Sequence, residues 1–582
     1  MFKEMEELEE KFKEQKNKIY PEVHVDNFRE FLEHTTNKFS DKVAFSYKKD
    51  ATAKNPEYVH VTYKKHYEDV KAFSTKLLSM GLEGKRIAII SHNQYQWPVS
   101  YMAINTGNMV CVPLDYLLPE NEIENLLLRS DAEAIIFDGK FLEIFKNIKK
   151  KNTTNLKYYI NMNQEEDEED ILSFWKLLEE GYSLRENGDT SYDNIKIDSD
   201  KMSILLFTSG TTDISKAVML SQRNICSNVS AMTTLIKYEE GDSVLSFLPL
   251  HHTFECTATY LFCNFVGFNI CYCDGLKHIA KNLVEYKISG MVCVPAVLEV
   301  MYRQIWKTIK QKKLVIPVKI MMAISNFLLF FHIDVRRKLF KSILEPLGGR
   351  LRTIIYGSAS ADIKVIKFFN SIGVRMIQGY GLTETSPVIS CESDKYQKPG
   401  SAGRPLYCED VQIVDKDENG VGEITVKGPN VMLGYYQNEE KTKEVLKDGY
   451  FHTGDLGYID KDGFLFVTGR IKDMIVLKNG KKIFPQELEI LLNDSPLIVE
   501  SFVYLSPTET DKLCTKLVYN VDNDELKGKT EEEIYEILKA EVKKVNTQTP
   551  TYKNIRGITI TRESLIKTTT QKIKRHEEMK RI

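Results

Sequence analysis

"MSILLFTSGTTDISKAVMLSQRN", Met202 to Asn224, decides how the chain is read. An apolar run ends at Phe207, and hydroxyl residues then cluster around Gly210 before Lys216 arrives. A strand that breaks into small donors is suited to an anion, because backbone N–H and side-chain O–H groups converge on its oxygens. The spacing is not that of a Walker A loop, which needs two glycines around a Lys-Ser/Thr pair. Ser221 stands where it can cap the next helix, whose apolar face would be Ile225, Val229 and Met232. Alone, the stretch reads first as a plain solvated Ser/Thr turn. The rest of the chain separates the two readings.

Outward from this loop, short β-branched runs alternate with helical patterns: "RIAIIS" (Arg86 to Ser91), "VCVPLD" (Val110 to Asp115), "AEAIIFD" (Ala132 to Asp138), then "SVLSFLPL", "GMVCVPAV", "LRTIIYGSA" and "VRMIQGYG". Continuous apolar runs of this length predict strands buried on both faces, in a doubly wound α/β fold with mainly parallel sheets. Functional residues in such folds stand on loops at the carboxyl ends of strands. From about Cys408 the texture changes. Short strands flank Asn419-Gly420 and Asp462-Gly463 turns, which predicts a small β-rich antiparallel subdomain. After Arg470 come a hairpin-like unit, "DMIVLKNGKKIF", and a helix opening at Pro485. The expected division is a large domain of residues 1–471, its β-rich part at 403–470, and a small α+β domain of residues 472–582.

Lys plus Arg total 79 against 82 Asp plus Glu, a formal charge of −3, so no bulk attraction recruits nucleic acid or an anionic membrane. The start, "MFKEMEELEEKFKEQKNK", has no apolar core and reads as a solvated helix rather than a signal peptide. Ten cysteines in apolar contexts, without zinc spacing, read as reduced buried thiols of a cytoplasmic protein. The acidic run Asn163 to Leu172 reads as a solvated loop. The longest apolar stretch, "IMMAISNFLLFFHI" (Ile320 to Ile333), is too short to span a bilayer and has basic flanks. It reads first as a buried helix with solvated ends, and second as a helix in peripheral contact with a membrane surface.

Further motifs also leave strands. "IQGYGLTETSP" offers Tyr380 to stack on a planar base, Thr383 to donate to a phosphate and Glu384 to hold Mg²⁺ against it. "DGYFHTGDLGY" sets Asp455 in a turn fit to accept hydrogen bonds from a vicinal diol, and "VTGRIKDMI" places Arg470 at a strand end. The tail "SLIKTTTQKIKRHEEMKR" is rich in lysine.

In this order the motifs "TSGTT", "LPLHHTFE", "YGSAS", "GYGLTET", "TGD" with "TGRIKDMI", and "TQKIKR" resemble those of the adenylate-forming superfamily of acyl-CoA synthetases, luciferases and peptide-synthetase adenylation domains. "LPLHHTFE", the lysine-rich segment after Met301 and "LGGRLRTIIYGSAS" are most similar to long-chain fatty-acid CoA ligases. The resemblance implies ligation of a fatty acid to coenzyme A through an acyl-adenylate, with ATP and CoA as co-substrates and Mg²⁺ as cofactor. A fatty acyl-AMP ligase that serves an acyl carrier protein is the alternative.

The same resemblance implies individual roles. Thr208, Ser209, Gly210, Thr211 and Thr212 would grip the β- and γ-phosphates beside Lys216, with Thr208 and Glu384 on magnesium. Gly357, Ser358, Ala359, Tyr380 and Gly381 would line the adenine and acyl site, with Thr383 at the α-phosphate. Asp455 and Arg470 would hold ribose, and His252 would sit by the acyl pocket. Lys472 would be the hinge, Lys572 the mobile catalytic lysine and Gly480 part of the pantetheine channel. The phosphate loop departs from the family pattern at Asp213 and Ala217, where glycines are usual. Asp213 can point to solvent, bind a metal or water, or slow the loop; the intact hydroxyls and Lys216 favour the first.

Overall fold

The computed structural model describes residues 17–208, 215–239, 241–359, 361–478, 481–568 and 573–582. The amino-terminal stretch read as a solvated helix lies almost wholly outside them. The chain divides into two compact units, one of residues 1–410 and 426–451 and the other of residues 411–425 and 452–582.

The first unit is built on two large sheets. Among the described residues one has eight strands, in the order Gly434–Tyr435, Lys216–Ser221, Met202–Thr208, Val110–Pro113, Arg86–Ile90, Ala134–Phe137, Tyr158–Asn161 and Ile171–Ser173. Its body is parallel, and only the edge around Lys216–Ser221 runs antiparallel. The other has nine strands, with Ser243–Ser246, Asn269–Tyr272, Gly290–Cys293, Thr353–Tyr356 and Arg375–Gly381 in its parallel centre. Every residue of Ala134–Phe137 and of Ser243–Ser246 is buried, as continuous apolar runs require of strands covered on both faces.

Local chemistry sets where the helices begin. Ser221 caps Gln222–Met232: its hydroxyl accepts the Asn224 N–H, and the Asn224 side chain accepts the Ser221 N–H in return. Ile225, Val229 and Met232 are buried, so both the cap and the apolar face match expectation.

One expectation is overturned. Ile320 to Ile333 belongs not to a buried helix but to the exposed helix Val315–Phe330 and the turn after it. Only Val318 and Ser325 of that helix are buried. Apart from Lys319, Ser325 and Asn326 its residues are apolar, on nearly every side, which is close to the pattern of an enclosed helix, yet here one side faces out.

The second unit carries the hairpin Tyr450–Ile459 with Leu465–Arg470, closed at the Asp462-Gly463 turn. Asp460 holds that turn by accepting the N–H groups of Asp462 and Phe464. Ile475–Val476 pairs with Lys482–Ile483, and the helix Pro485–Asn493 follows at the expected proline. A three-stranded sheet, Ile498–Leu505, Leu513–Tyr519 and Gly557–Thr561, packs through Val503 and Leu517 onto Leu488, Leu492, Leu538 and Val542. The fold is therefore a large α/β part with mainly parallel sheets, a β-rich part, and a small carboxy-terminal α+β part.

Candidate active site

In the first unit the described residues flanking the hydroxyl stretch come together with the segments that carry "GYGLTET" and "LPLHHTFE". Thr208 ends the strand Met202–Thr208, and the antiparallel register sets it opposite Lys216. Ser209, Gly210, Thr211, Thr212 and Asp213 lie outside the described residues. Lys216 Nζ reaches the hydroxyl of Tyr435 at 3.4 Å, and that hydroxyl donates to Glu384 Oε1 at 2.9 Å. Burial and the Glu384 carboxylate push the Tyr435 phenol well above its ordinary range, so it remains a neutral donor. Tyr435 thereby couples the lysine after the hydroxyl loop to the carboxylate of "GYGLTET". It stands there because Gly434–Tyr435 forms an edge strand on Lys216–Ser221, pairing Tyr435 with Val218.

The segment with Thr383 and Glu384 is held from several sides. Met432 N–H donates to the Glu384 carbonyl at 2.9 Å, and Asn430 Nδ2 donates to the Thr385 carbonyl at 2.9 Å. Thr385 Oγ1 donates to the Pro387 carbonyl at 2.6 Å, and Asn228 Nδ2 donates to Val388 at 2.7 Å. Gly381 allows the close turn: a Cβ there would lie 1.7 Å from the Pro387 carbonyl oxygen. Each of these hydrogen bonds contributes about 1 kcal/mol. Their joint effect is to fix where Thr383 and Glu384 project.

"LPLHHTFE" closes the third side. Thr253 Oγ1 lies 3.4 Å from Thr383 Oγ1, and the Phe254 ring stands against Gly357. His252 Nδ1 accepts the Phe254 N–H at 3.3 Å, which turns the ring back onto its own loop. His251, its neighbour, is largely buried, with Nε2 at 3.6 Å from Asp115; desolvation holds its pKa below the ordinary value, with Asp115 opposing. Ser358 has a left-handed backbone, φ +73°, and Ala359 is exposed. Behind the loop, residues 254–261 form a π-helix in which Glu255 is fully buried. Its carboxyl accepts from Ser246 at 2.7 Å and Thr259 at 2.8 Å, and burial raises its pKa to about 8.

In the second unit, Asp455 and Arg470 face each other across the hairpin, with Arg470 Nε 2.9 Å from Asp455 Oδ1. Asp455 is only 4% exposed. Thr453 steadies this turn, accepting the Asp455 N–H and donating to the Ile424 carbonyl. Lys472 is exposed in the short turn Ile471–Asp473 directly afterwards. Gly480 and Lys572 lie outside the described residues, but the flanks of the Lys572 loop are tied. Lys567 bridges Ile573, Lys567 Nζ sits 2.5 Å from Glu500, and Arg575 pairs with Glu489 at 2.5 Å.

Thr208, Lys216, Glu384, Thr383, Tyr380, Gly381 and Gly357 are thus brought into one region of the first unit, and Asp455 and Arg470 into one turn of the second. Sequence reasoning missed Tyr435, Thr253 and Glu255. Glu255 was in view within "LPLHHTFE". Tyr435 in "MLGYYQN" carries no chemical pattern, and only cross-strand pairing reveals it.

Comparison with known proteins identifies the family. The family model described as AMP-binding enzyme matches residues 32–436, and that of the AMP-binding enzyme C-terminal domain matches residues 472–581. A chloroplastic long-chain-fatty-acid–[acyl-carrier-protein] ligase of Arabidopsis thaliana is 30% identical over 501 residues, covering 74% of this chain and 68% of its own. Long-chain-fatty-acid–CoA ligase 5 of Rattus norvegicus is 30% identical over 481 residues, covering 77% of this chain and 70% of its own. Among solved structures, the anthranilate CoA ligase AuaEII bound to anthranoyl-AMP superposes with a TM-score of 0.75 at 18% identity, over 97% of this chain and 98% of that one. ATP-bound MatB of Rhodopseudomonas palustris gives 0.71 at 21%, over 94% and 97%. These two carry the fold. The family model spans most of the chain, and the chain belongs to the AMP-binding enzyme family as an adenylate-forming acyl ligase.

Proposed function

We propose that the protein joins a long-chain fatty acid to coenzyme A in two steps at one site. The observation that carries this reading is the Lys216–Tyr435–Glu384 relay beside Thr208 and Thr383. In the first step a carboxylate oxygen of the acid attacks the α-phosphorus of ATP, and pyrophosphate leaves. Both reactants are anionic, so donors and cations that offset the charge built up in the transition state govern the rate. Lys216 and the hydroxyl loop would face the β- and γ-phosphates, Thr383 the α-phosphate, and Tyr380 the adenine. Asp455 and Arg470 would hold the ribose.

A magnesium ion would neutralise phosphate charge here, and the donor set suits it. Magnesium prefers hard oxygens, typically one or two carboxylates completed by substrate phosphates. Glu384 supplies a carboxylate, and Thr208 a hydroxyl at the end of the opposing strand. Lys572 would meet the departing pyrophosphate. In the second step the thiol of CoA attacks the acyl carbonyl carbon and AMP leaves, with Gly480 beside the pantetheine arm and Lys472 as the hinge between the two arrangements.

The relatives include both a CoA ligase and a carrier-protein ligase at 30% identity, so transfer to an acyl carrier protein is the second reading. The test is acid-dependent ATP–pyrophosphate exchange across fatty acids from acetate to oleate, followed by AMP release with CoA or with an acyl carrier protein. The proposal expects exchange that peaks with long acids and AMP release stimulated by CoA. Stimulation by carrier protein alone selects the second reading, and exchange that peaks with short acids rejects the long-chain substrate.

A further inference from the structure

The exposed helix Val315–Phe330 has a chemistry that the catalytic reading does not use. Ile316, Ile320, Ile324, Phe327 and Phe331 recur at spacings of three, four and seven and stand on one outward stripe, with Phe330 at its edge. Ile316 is 71% exposed, Phe327 64% and Phe330 79%. The opposite face is anchored: Val318 is buried in the core cluster, and Val315, Met321 and Met322 pack against it. The outward face is therefore not a loose end. A contiguous apolar surface on a firmly seated helix marks a place where something else binds.

Charge identifies the occupant. Between Glu299 and Asp334 the sequence holds Arg303, Lys307, Lys310, Lys312, Lys313 and Lys319 and no acidic residue, in a chain whose net charge is −3. Among the described residues, none of these five lysines has an ion-pair partner, and all are exposed. Lys312 and Lys313 stand in the turn between the helix Pro295–Gln311 and the exposed helix, while Lys319 flanks the apolar stripe. Arg336 and Arg337 do not belong to this cationic set. Arg336 is engaged with Asp334, and Arg337 donates to the carbonyls of Leu351, Gly373 and Gly349.

We propose that this face docks the protein on a lipid bilayer bearing anionic headgroups. The helix would lie in the plane of the interface, with the isoleucine and phenylalanine stripe among the upper acyl chains and the lysines against lipid phosphates. It would not span. The helix has 16 residues, fewer than the roughly 20 that a crossing needs, and no single described helix is long and apolar enough to cross; the pair it forms with Pro295–Gln311 passes by length and composition but turns through 119° at a break that holds Lys312 and Lys313. Lys319 can keep its ammonium at the headgroups while its methylenes extend the apolar stripe. A second copy of the chain is the poorer fit, because self-association would bring two lysine clusters together. The inference stands whichever acyl acceptor the active site serves.

The experiment is vesicle co-sedimentation of the full chain, with phosphatidylcholine–phosphatidylglycerol vesicles and with phosphatidylcholine alone. The wild type is expected to pellet with the mixed vesicles and more weakly with the neutral ones. Phe327→Ser with Phe330→Ser should weaken binding to both vesicles by about tenfold or more. Lys312→Gln with Lys313→Gln should lower the anionic preference by about fivefold per lysine. All four positions are exposed, and an unchanged urea midpoint would show each variant folded. A wild type that stays in the supernatant with anionic vesicles overturns the proposal, as do variants that pellet like the wild type. A wild type that is dimeric by light scattering, and monomeric once the two phenylalanines are replaced, would assign the face to a second copy instead.

Discussion

Tyr435 serves two charged groups with one hydroxyl, and that economy makes it the residue to test first. Tyr435→Phe keeps the ring that lies beneath Lys216 at 4.9 Å and removes only the hydroxyl. Without the hydroxyl, Glu384 and Lys216 lose the group that links them, so acid-dependent exchange should fall about tenfold or more, and because a hydrogen bond to a charged group contributes about 1.5–3 kcal/mol to stability the melting temperature should fall by a few degrees. An unchanged rate would remove Tyr435 from the site. Glu255 gives a pH-dependent prediction. Its pKa rises from 4.5 to about 8 on folding, chiefly by burial, so between these values the native state keeps a proton that the unfolded chain has lost. Stability from this group is fully present below 4.5 and is lost as pH rises through about 8. Glu392, raised to about 7, acts in the same direction. Glu255→Gln should flatten the fall in urea midpoint between acid and pH 8 relative to wild type. A fall as steep as the wild type's would show that the carboxyl is not protonated in the native state.

At the scale of elements, the parallel strands were legible because burial on both faces leaves a mark in composition, as at Ala134–Phe137 and Ser243–Ser246. The cap at Ser221 was legible because a hydroxyl before an apolar period has one common use. Ser221→Ala should cost about 1 kcal/mol, read from chemical denaturation, with Asn224 left without its reciprocal partner. A change no larger than that at an exposed serine would show the cap to be energetically idle. Val315–Phe330 was misread for a physical reason. Periodicity finds a helix's faces only when they differ, and a helix apolar all round gives no sign of which side is covered. Cross-strand partners such as Tyr435 were illegible for a different reason: register between strands far apart in sequence is set by folding, not by local pattern.

For the whole molecule, order and chemistry of the motifs indicated which residues gather near Thr208 and Glu384, but not the links between them. The resemblance supplied the roles, and the structure supplied the neighbours. The two half-reactions give a prediction at this scale. If Lys572 serves only pyrophosphate departure, Lys572→Ala should lower acid-dependent exchange by about a hundredfold or more. Thioester formation from supplied acyl-adenylate and CoA should persist near the wild-type rate. Equal loss in both assays would make the lysine a general support of the site rather than a group for one step.

The cysteines have a practical consequence. All ten are free and eight are buried, and burial holds the thiols of the first unit, such as Cys111, Cys226 and Cys293, far from the reactive thiolate form. Cys514 alone belongs to the second unit. A colorimetric disulfide reagent would therefore act as a clock with two hands: modification of Cys514 times the opening of the second unit, and modification of Cys111 or Cys293 times the opening of the first. Addition of ATP would slow whichever hand belongs to the part it braces, without any label having been engineered into the protein.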